Sequence, residues 1–267
     1  MFAIIWRTVK DRKISLIVYL ATTVLFMWMY VAMFPSMLEQ SAAFVVAFES
    51  FPEGLFKAIG IEELNMSTIE HFLSMEHFSL VWPLMAIFLI VAIAGSGLAG
   101  QVEQGTAELL LALPVSRFRI FMAKYLVGIF SLLVFTIFSV FAIVPLAPIH
   151  KVEYAIGNFA SVALISFLFG WAVFSVATMF SAVFSEKSRV YMATGGVLLV
   201  MYVLNIAAAL QEKLQDLRYV SFFHYYDYND ALIRNTLDTT NVLVFVVVAI
   251  VCTAAGALWF RRRDIAV

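Results

Sequence analysis

Six long apolar runs separated by polar intervals dominate the chain: Leu16 to Phe34, Phe78 to Leu98, Tyr125 to Val144, Phe159 to Phe184, Val190 to Leu210 and Val242 to Phe260. About 20 apolar residues carry an α-helix across the hydrocarbon core of a bilayer, and each run meets that length. The pattern predicts an all-α integral membrane protein with six transmembrane helices. Residues 1 to 14 follow a different rhythm, with Phe2, Ile5, Trp6 and Val9 at i, i+3, i+4 and i+7 and Arg7, Lys10, Asp11 and Arg12 on the other face. A helix lying in the membrane interface has this pattern, so an N-terminal elbow is expected before the first span. Leu16 to Phe34 exceeds the apolar core of about 7–15 residues in a secretory signal and has no small-residue cleavage site near its end, so it reads as an uncleaved anchor.

Composition agrees with this reading. The chain is 63% hydrophobic with a mean hydropathy of +0.96, against about 45–50% apolar residues in soluble domains. Repeats and Pro- or Gly-rich linkers are not evident, and no interval holds a soluble domain, so residues 1–267 count as one membrane domain. The net charge of −1 gives no reason to expect nucleic-acid binding; the distribution of charge matters more. With six spans both termini share a side. That side collects twelve Lys and Arg residues, from Arg7, Lys10, Arg12 and Lys13 through Arg117, Arg119, Lys124, Lys187 and Arg189 to Arg261, Arg262 and Arg263. The other side collects five basic and thirteen acidic residues. The positive-inside rule then places both termini in the cytoplasm of a multi-pass plasma-membrane protein.

Two intervals on the acidic side are unusually apolar. Pro35 to His77 is expected to fold back as short interfacial helices, and Ser67 with Glu70 has the Ser-x-x-Glu form of a capping box, starting a helix that runs into the second span. Gln211 to Asn241 carries Tyr219, Phe222, Phe223, Tyr225, Tyr226 and Tyr228, which read as an aromatic belt at the membrane boundary.

Chemistry is sparse. No G-x-x-x-x-G-K-[ST] phosphate cradle and no H-E-x-x-H occurs, and Gly95-Ser96-Gly97 has no evident His partner, so no catalytic residue and no bound nucleotide is assigned to this chain. His71 and His77 lie beside Glu70 and Glu76, but six residues on one helix separate them by about 120°, so a solvated interfacial face is the reading and a metal site is not. The single cysteine, Cys252, sits in an apolar run and forms no internal disulfide. No ionisable residue lies mid-span; only Asn205 and hydroxyls such as Thr136, Ser166, Ser175 and Thr194 bring polarity to depth. That disfavours an ion-coupled path and favours hydrophobic or amphipathic cargo. Small residues at Gly95 to Gly100 and at Ala193 to Gly196 mark places where helices approach closely, either within one subunit or between two.

The most polar stretch between two spans, Gln101 to Lys124, still carries an apolar ridge at Leu109, Leu110 and Leu113. A simple connector has no use for it, and the stretch reads as a short amphipathic helix offered to a partner from the cytoplasm. Gly105 permits a tight turn, Thr106 can cap a following helix, Glu108 suits its positive end, and Pro114 ends it. Arg117 and Arg119 then anchor at the headgroups.

Glu103-Gln104-Gly105-Thr106, Leu109-Leu110 and Leu113-Pro114-Val115-Ser116-Arg117 resemble the signature between the second and third spans of ABC-2 type transporter permeases. Ser221-Phe222-Phe223-His224-Tyr225 and Phe260-Arg261-Arg262-Arg263-Asp264-Ile265 are similar to the same family's last loop and C-terminal end. The resemblance implies a coupling helix docked in a separate ABC ATP-binding subunit that carries ATP-Mg, with a second permease chain, in a homodimer or heterodimer, framing the path. On it, Leu109, Leu110 and Leu113 dock while Glu103 and Arg117 fix the angle. A scaffold or sensor that uses the same ATPase without transporting is the alternative, and an ion channel is a third.

Overall fold

The computed structural model describes residues 2–48, 66–107 and 115–263, and among these every regular element is helical. The chain is an all-α integral membrane protein. Five helical runs are long and apolar enough to cross a membrane: Arg12–Gln40, Arg117–His150, Ile156–Val183, Lys187–Leu210 and Thr239–Arg262. A sixth span is formed if the pair Ile69–Phe78 and Val81–Gly95, bent by 45°, counts as one. We refer to them as spans one to six in chain order, the bent pair being span two.

Helix α1 runs from Phe2 to Phe48 without a break, so the expected elbow is not a separate element. No glycine or proline interrupts the first 34 residues. Pro35 lies inside the helix; its φ is helical and only one backbone bond is lost. The expected fold-back after Pro35 is therefore corrected: residues 35–48 extend the first helix, and residues 49–65, with Phe51, Leu55, Phe56 and Ile59, lie outside the described residues.

Span two begins with α2, Ile69–Leu73, followed by a π-helical turn at Ser74–Phe78 and then by α3, Val81–Gly95. Its N-cap is Thr68, not the expected Ser67: the Thr68 side chain accepts from the His71 amide. Glu70 does not close a capping box; it reaches another helix. The span is also not straight. Pro83 has no amide to offer the Ser79 carbonyl, and its ring clashes there, which breaks the helix at Ser79 and Leu80. The π turn shifts the helical phase through the Ser79 amide bond to Ser74 O at 3.1 Å. His77 is consequently turned inward and fully buried, with its ring 5.3 Å from that of Tyr30 and 5.0 Å from that of Phe78. The solvated face expected for it is corrected by this phase shift.

After the short helix α4, Ala99–Glu103, span three comprises α5, Arg117–Phe141, α6, Ile143–Leu146, and a 3-10 turn at Pro148–His150. Spans four and five are α7, Ile156–Val183, and α8, Lys187–Leu210. A 3-10 segment at Glu212–Val220, α9 at Phe222–Tyr225 and α10 at Tyr228–Ile233 lead to span six, α11, Thr239–Arg262.

Helix α7 is the centre, packing against α3, α5, α8, α10 and α11, as a helix apolar on all sides must. Two notches set its approach to α5. A Cβ on Gly128 would meet Phe174 Cζ at 2.0 Å, and one on Gly170 would meet Leu132 Cδ1 at 2.8 Å. Part of the mid-bundle polarity is paired within the bundle: Tyr125 OH hydrogen-bonds Ser175 at 2.8 Å and accepts from Trp171 Nε1 and Thr253 Oγ1, both at 2.7 Å, whereas the buried hydroxyls of Thr136 and Thr194 have no partner among the described residues.

The aromatic segment 219–228 is no simple belt. Tyr219 is exposed, but Phe222, Tyr226 and Tyr228 are core residues. Tyr226 OH is hydrogen-bonded to Ser166 at 3.0 Å. Ten residues into α7, that hydroxyl sits about 15 Å along the helix from its start. The Tyr226 ring lies 4.8 Å from Phe169 and stacks on Trp82 at 6.3 Å. The segment thus folds back into the bundle, because its rings find more apolar contact there than at a boundary.

Candidate functional site

The motif-bearing connection opens at one end of the bundle, where the chain's arginines gather. Much of Gln101 to Lys124 is span-associated helix: Gln101–Glu103 belong to α4, and Arg117 begins α5. Ser116 caps α5 by accepting from the Arg119 amide at 3.4 Å, so span three starts eight residues before the apolar run. Glu108, Leu109, Leu110, Leu113 and Pro114 lie outside the described residues.

Helix α4 is held from three sides. The amides of Leu98 and Ala99 donate to Ser181 Oγ of α7 at 3.3 and 3.1 Å, which caps an otherwise open helix start. Gly95 and Gly100 let α8 approach: added Cβ atoms would stand 2.3 Å from Tyr191 Cε1 and 3.1 Å from Lys187 Cγ. This small-residue cluster packs within the subunit. In the other cluster nothing lies within 4 Å of Gly195 or Gly196, so these two glycines face outward while Thr194 beside them is buried. Arg12 of α1 donates to Ser96 Oγ in the turn between α3 and α4.

Glu103, the last residue of α4, accepts the Lys187 amide on Oε2 at 2.9 Å. The N-cap of α8, Glu186, makes no side-chain capping bond, so Glu103 supplies from another span the acceptor and the negative charge that this helix end favours.

Gly105 closes α4. Its φ of +67° suits glycine, its amide donates to Val102 O at 3.0 Å, and the Thr106 amide donates to Gln101 O at 3.0 Å. This is a Schellman ending, which requires a left-handed residue at the position Gly105 holds. The turn therefore follows from α4 behind it. Thr106 points the same way, with Oγ1 donating to Gln101 O at 3.3 Å, a bond absent from the sequence reading of it as a cap.

Arg117 donates to the Arg263 carbonyl at the end of α11 and so holds a protein group, where a headgroup anchor was expected. Arg263 in turn donates from Nη1 to Ala182 O at 2.9 Å and Phe184 O at 3.0 Å, and from Nη2 to Ser185 Oγ. These are end carbonyls of α7 that no amide of that helix can satisfy. In the sequence Arg263 stands out only as one of three adjacent arginines and as part of the C-terminal stretch that resembles the family.

The structure brings Glu103, Gly105, Thr106 and Arg117 to one end of the bundle. It adds Arg12, Ser96, Gly95, Gly100, Ser181, Lys187 and Arg263, so that all six spans meet in one set of polar links. These groups are suited to transmitting force between helix ends and include no paired nucleophile and base. Only the three-arginine run and the small-residue spacing signalled the added residues; which backbone each reaches depends on contacts about 80 or more positions away.

Residues 2–265 match the family described as ABC-2 family transporter protein. No curated protein matches the chain.

Proposed function

Because the chain belongs to the ABC-2 family of transporter proteins, which implies association with an ABC ATP-binding subunit, we propose that it is the permease subunit of an ATP-driven exporter. It works as a dimer of permease chains with two ATP-binding subunits, which carry ATP-Mg, and moves a hydrophobic or amphipathic substrate out of the cytoplasm. Both termini are cytoplasmic, in the plasma membrane. The ATPase engages residues 101 to 119 through Leu109, Leu110 and Leu113, with Glu108 and Pro114 shaping the docked helix.

The observation that supports this reading best is the link between Glu103 and Lys187. A push on the connection after span two reaches span five at once through that bond, and reaches span three at Arg117, which is joined to span six. Such a set of links gives an external subunit a differential contact with two arrangements of the spans, which is what switching access requires.

The test is reconstitution with the ATP-binding subunit. Leu110→Asp is expected to abolish its co-purification, and Glu103→Arg to leave it bound with ATP hydrolysis uncoupled from transport. Full capture and coupling in both variants rejects the docking assignment; capture with hydrolysis but no vectorial transport of any substrate favours a scaffold or sensor.

A further inference from the structure

The opposite end of the bundle repeats the motif of a borrowed cap. Glu70, in the first turn of α2, is buried, with 7% of its surface exposed. Its Oε1 accepts the amide of Ala155 at 2.8 Å. Ala155 is the N-cap of α7 and has no side chain that can cap. A carboxylate thus flanks span two on each side, Glu70 within its first turn and Glu103 on α4 just beyond its end, and each closes the amide end of a different helix: Glu70 that of span four, Glu103 that of span five.

Further contacts hold the two halves of span two in different ways. In the first half, Ser74 donates to Asn229 of α10, Asn158 of α7 donates to Leu232 O of α10 at 2.9 Å, and Tyr30 of α1 donates to Glu76 O at 3.2 Å. The second half packs along α7; at its end Gly95, and Gly100 of α4, admit the side chains of Tyr191 and Lys187 from α8, and Ser181 near the far end of α7 caps α4. Between the halves lies the break at Ser79 and Leu80, where Leu80 leaves the helical region (φ −139°, ψ −47°) and Pro83 prevents repair of the backbone ladder.

We propose that Glu70 is a positioning residue: it fixes the first half of span two to the start of span four, so that motion delivered at Glu103 is taken up as bending at Ser79–Leu80. This rests on the coupling reading above. Span two is then a two-piece lever. The piece from Val81 to Gly95, with α4 beyond it, moves with span five and the Ser181 end of span four, while the piece from Ile69 to Phe78 stays with the start of span four. Without the Glu70 bond the whole span would tilt as a body, and the displacement would appear at the far end.

Amide exchange read by mass spectrometry on the complete complex in nanodiscs, with and without ADP and vanadate, tests this. In the wild type, nucleotide is expected to alter exchange over residues 101–106 and 79–84 and to leave 155–158 unchanged. Glu70→Ala should raise exchange over 155–158 about fivefold, as for loss of a helix cap, and make it respond to nucleotide. Glu70→Gln, which keeps an acceptor oxygen, should restore most of the protection. The proposal is overturned if Glu70→Gln and Glu70→Ala both leave residues 155–158 as in the wild type, or if nucleotide alters 101–106 without altering 79–84. An absence of any nucleotide response at 101–106 in the wild type overturns the coupling reading and the lever with it, and is told apart because the Glu70→Ala effect on 155–158 persists without nucleotide.

Discussion

The carboxylate of Glu103 caps a helix that begins 84 positions later, accepting the amide of Lys187 at 2.9 Å. The bond is solvent-exposed, so its weight in stability is small, about 0.5 kcal/mol. Its weight in geometry is larger, because it joins α4, which follows span two, to the start of span five. Glu103→Gln should keep most of that join and Glu103→Ala should lose it. We expect thermal denaturation of the purified chain to shift little in either variant, while only Glu103→Ala raises amide exchange over residues 187–190.

Arg263 binds three acceptors with one guanidinium, two of them end carbonyls of α7. A lysine keeps the charge and cannot span the fork. Arg263→Lys is therefore expected to destabilise nearly as much as Arg263→Ala, by about 1–2 kcal/mol in detergent unfolding. Recovery of wild-type stability by the lysine variant would show that charge alone matters at this position.

Gly128 and Gly196 make opposite predictions for the same substitution. A methyl on Gly128 runs into Phe174 at 2.0 Å, whereas nothing lies within 4 Å of a methyl on Gly196. Gly128→Ala should cost about 1–3 kcal/mol through overpacking. Gly196→Ala should leave the single chain as stable as before or slightly more so, since alanine is the better helix former by about 1 kcal/mol. If the outward face of α8 meets a second permease chain, Gly196→Trp will lower the dimer fraction seen by mass photometry without unfolding the chain.

His224 gives a pH dependence with a defined sign. Burial, and secondarily the nearby Arg218 charge, hold its pKa below the usual histidine value of 6.5. Its stabilising effect is full above pH 6.5 and is lost as pH falls through the window between 6.5 and the lower folded value, because the unfolded chain takes up the proton first. Melting curves between pH 7.5 and 5, compared with His224→Gln, should show a smaller loss of stability in the variant.

The apolar runs by themselves determined the fold class and six near-correct spans, because a membrane helix must satisfy its backbone bonds internally and show apolar side chains to lipid, and both demands are local. Gly105 was legible as a turn for the same reason: a left-handed residue is a property of one position. The bend in span two follows from Pro83, yet its consequence for His77 needed the phase of the π turn beside it. What only the tertiary structure decided is where the side chains at helix ends go. Glu70, Glu103, Ser181 and Arg263 each satisfy the backbone of a helix other than their own. No periodicity encodes such a partner, because it is set by which helix ends the packing brings within about 3 Å. Tyr226 is the same case in the interior: its aromatic neighbours read as a boundary belt until the bundle supplied Ser166, Phe169 and Trp82 to receive it.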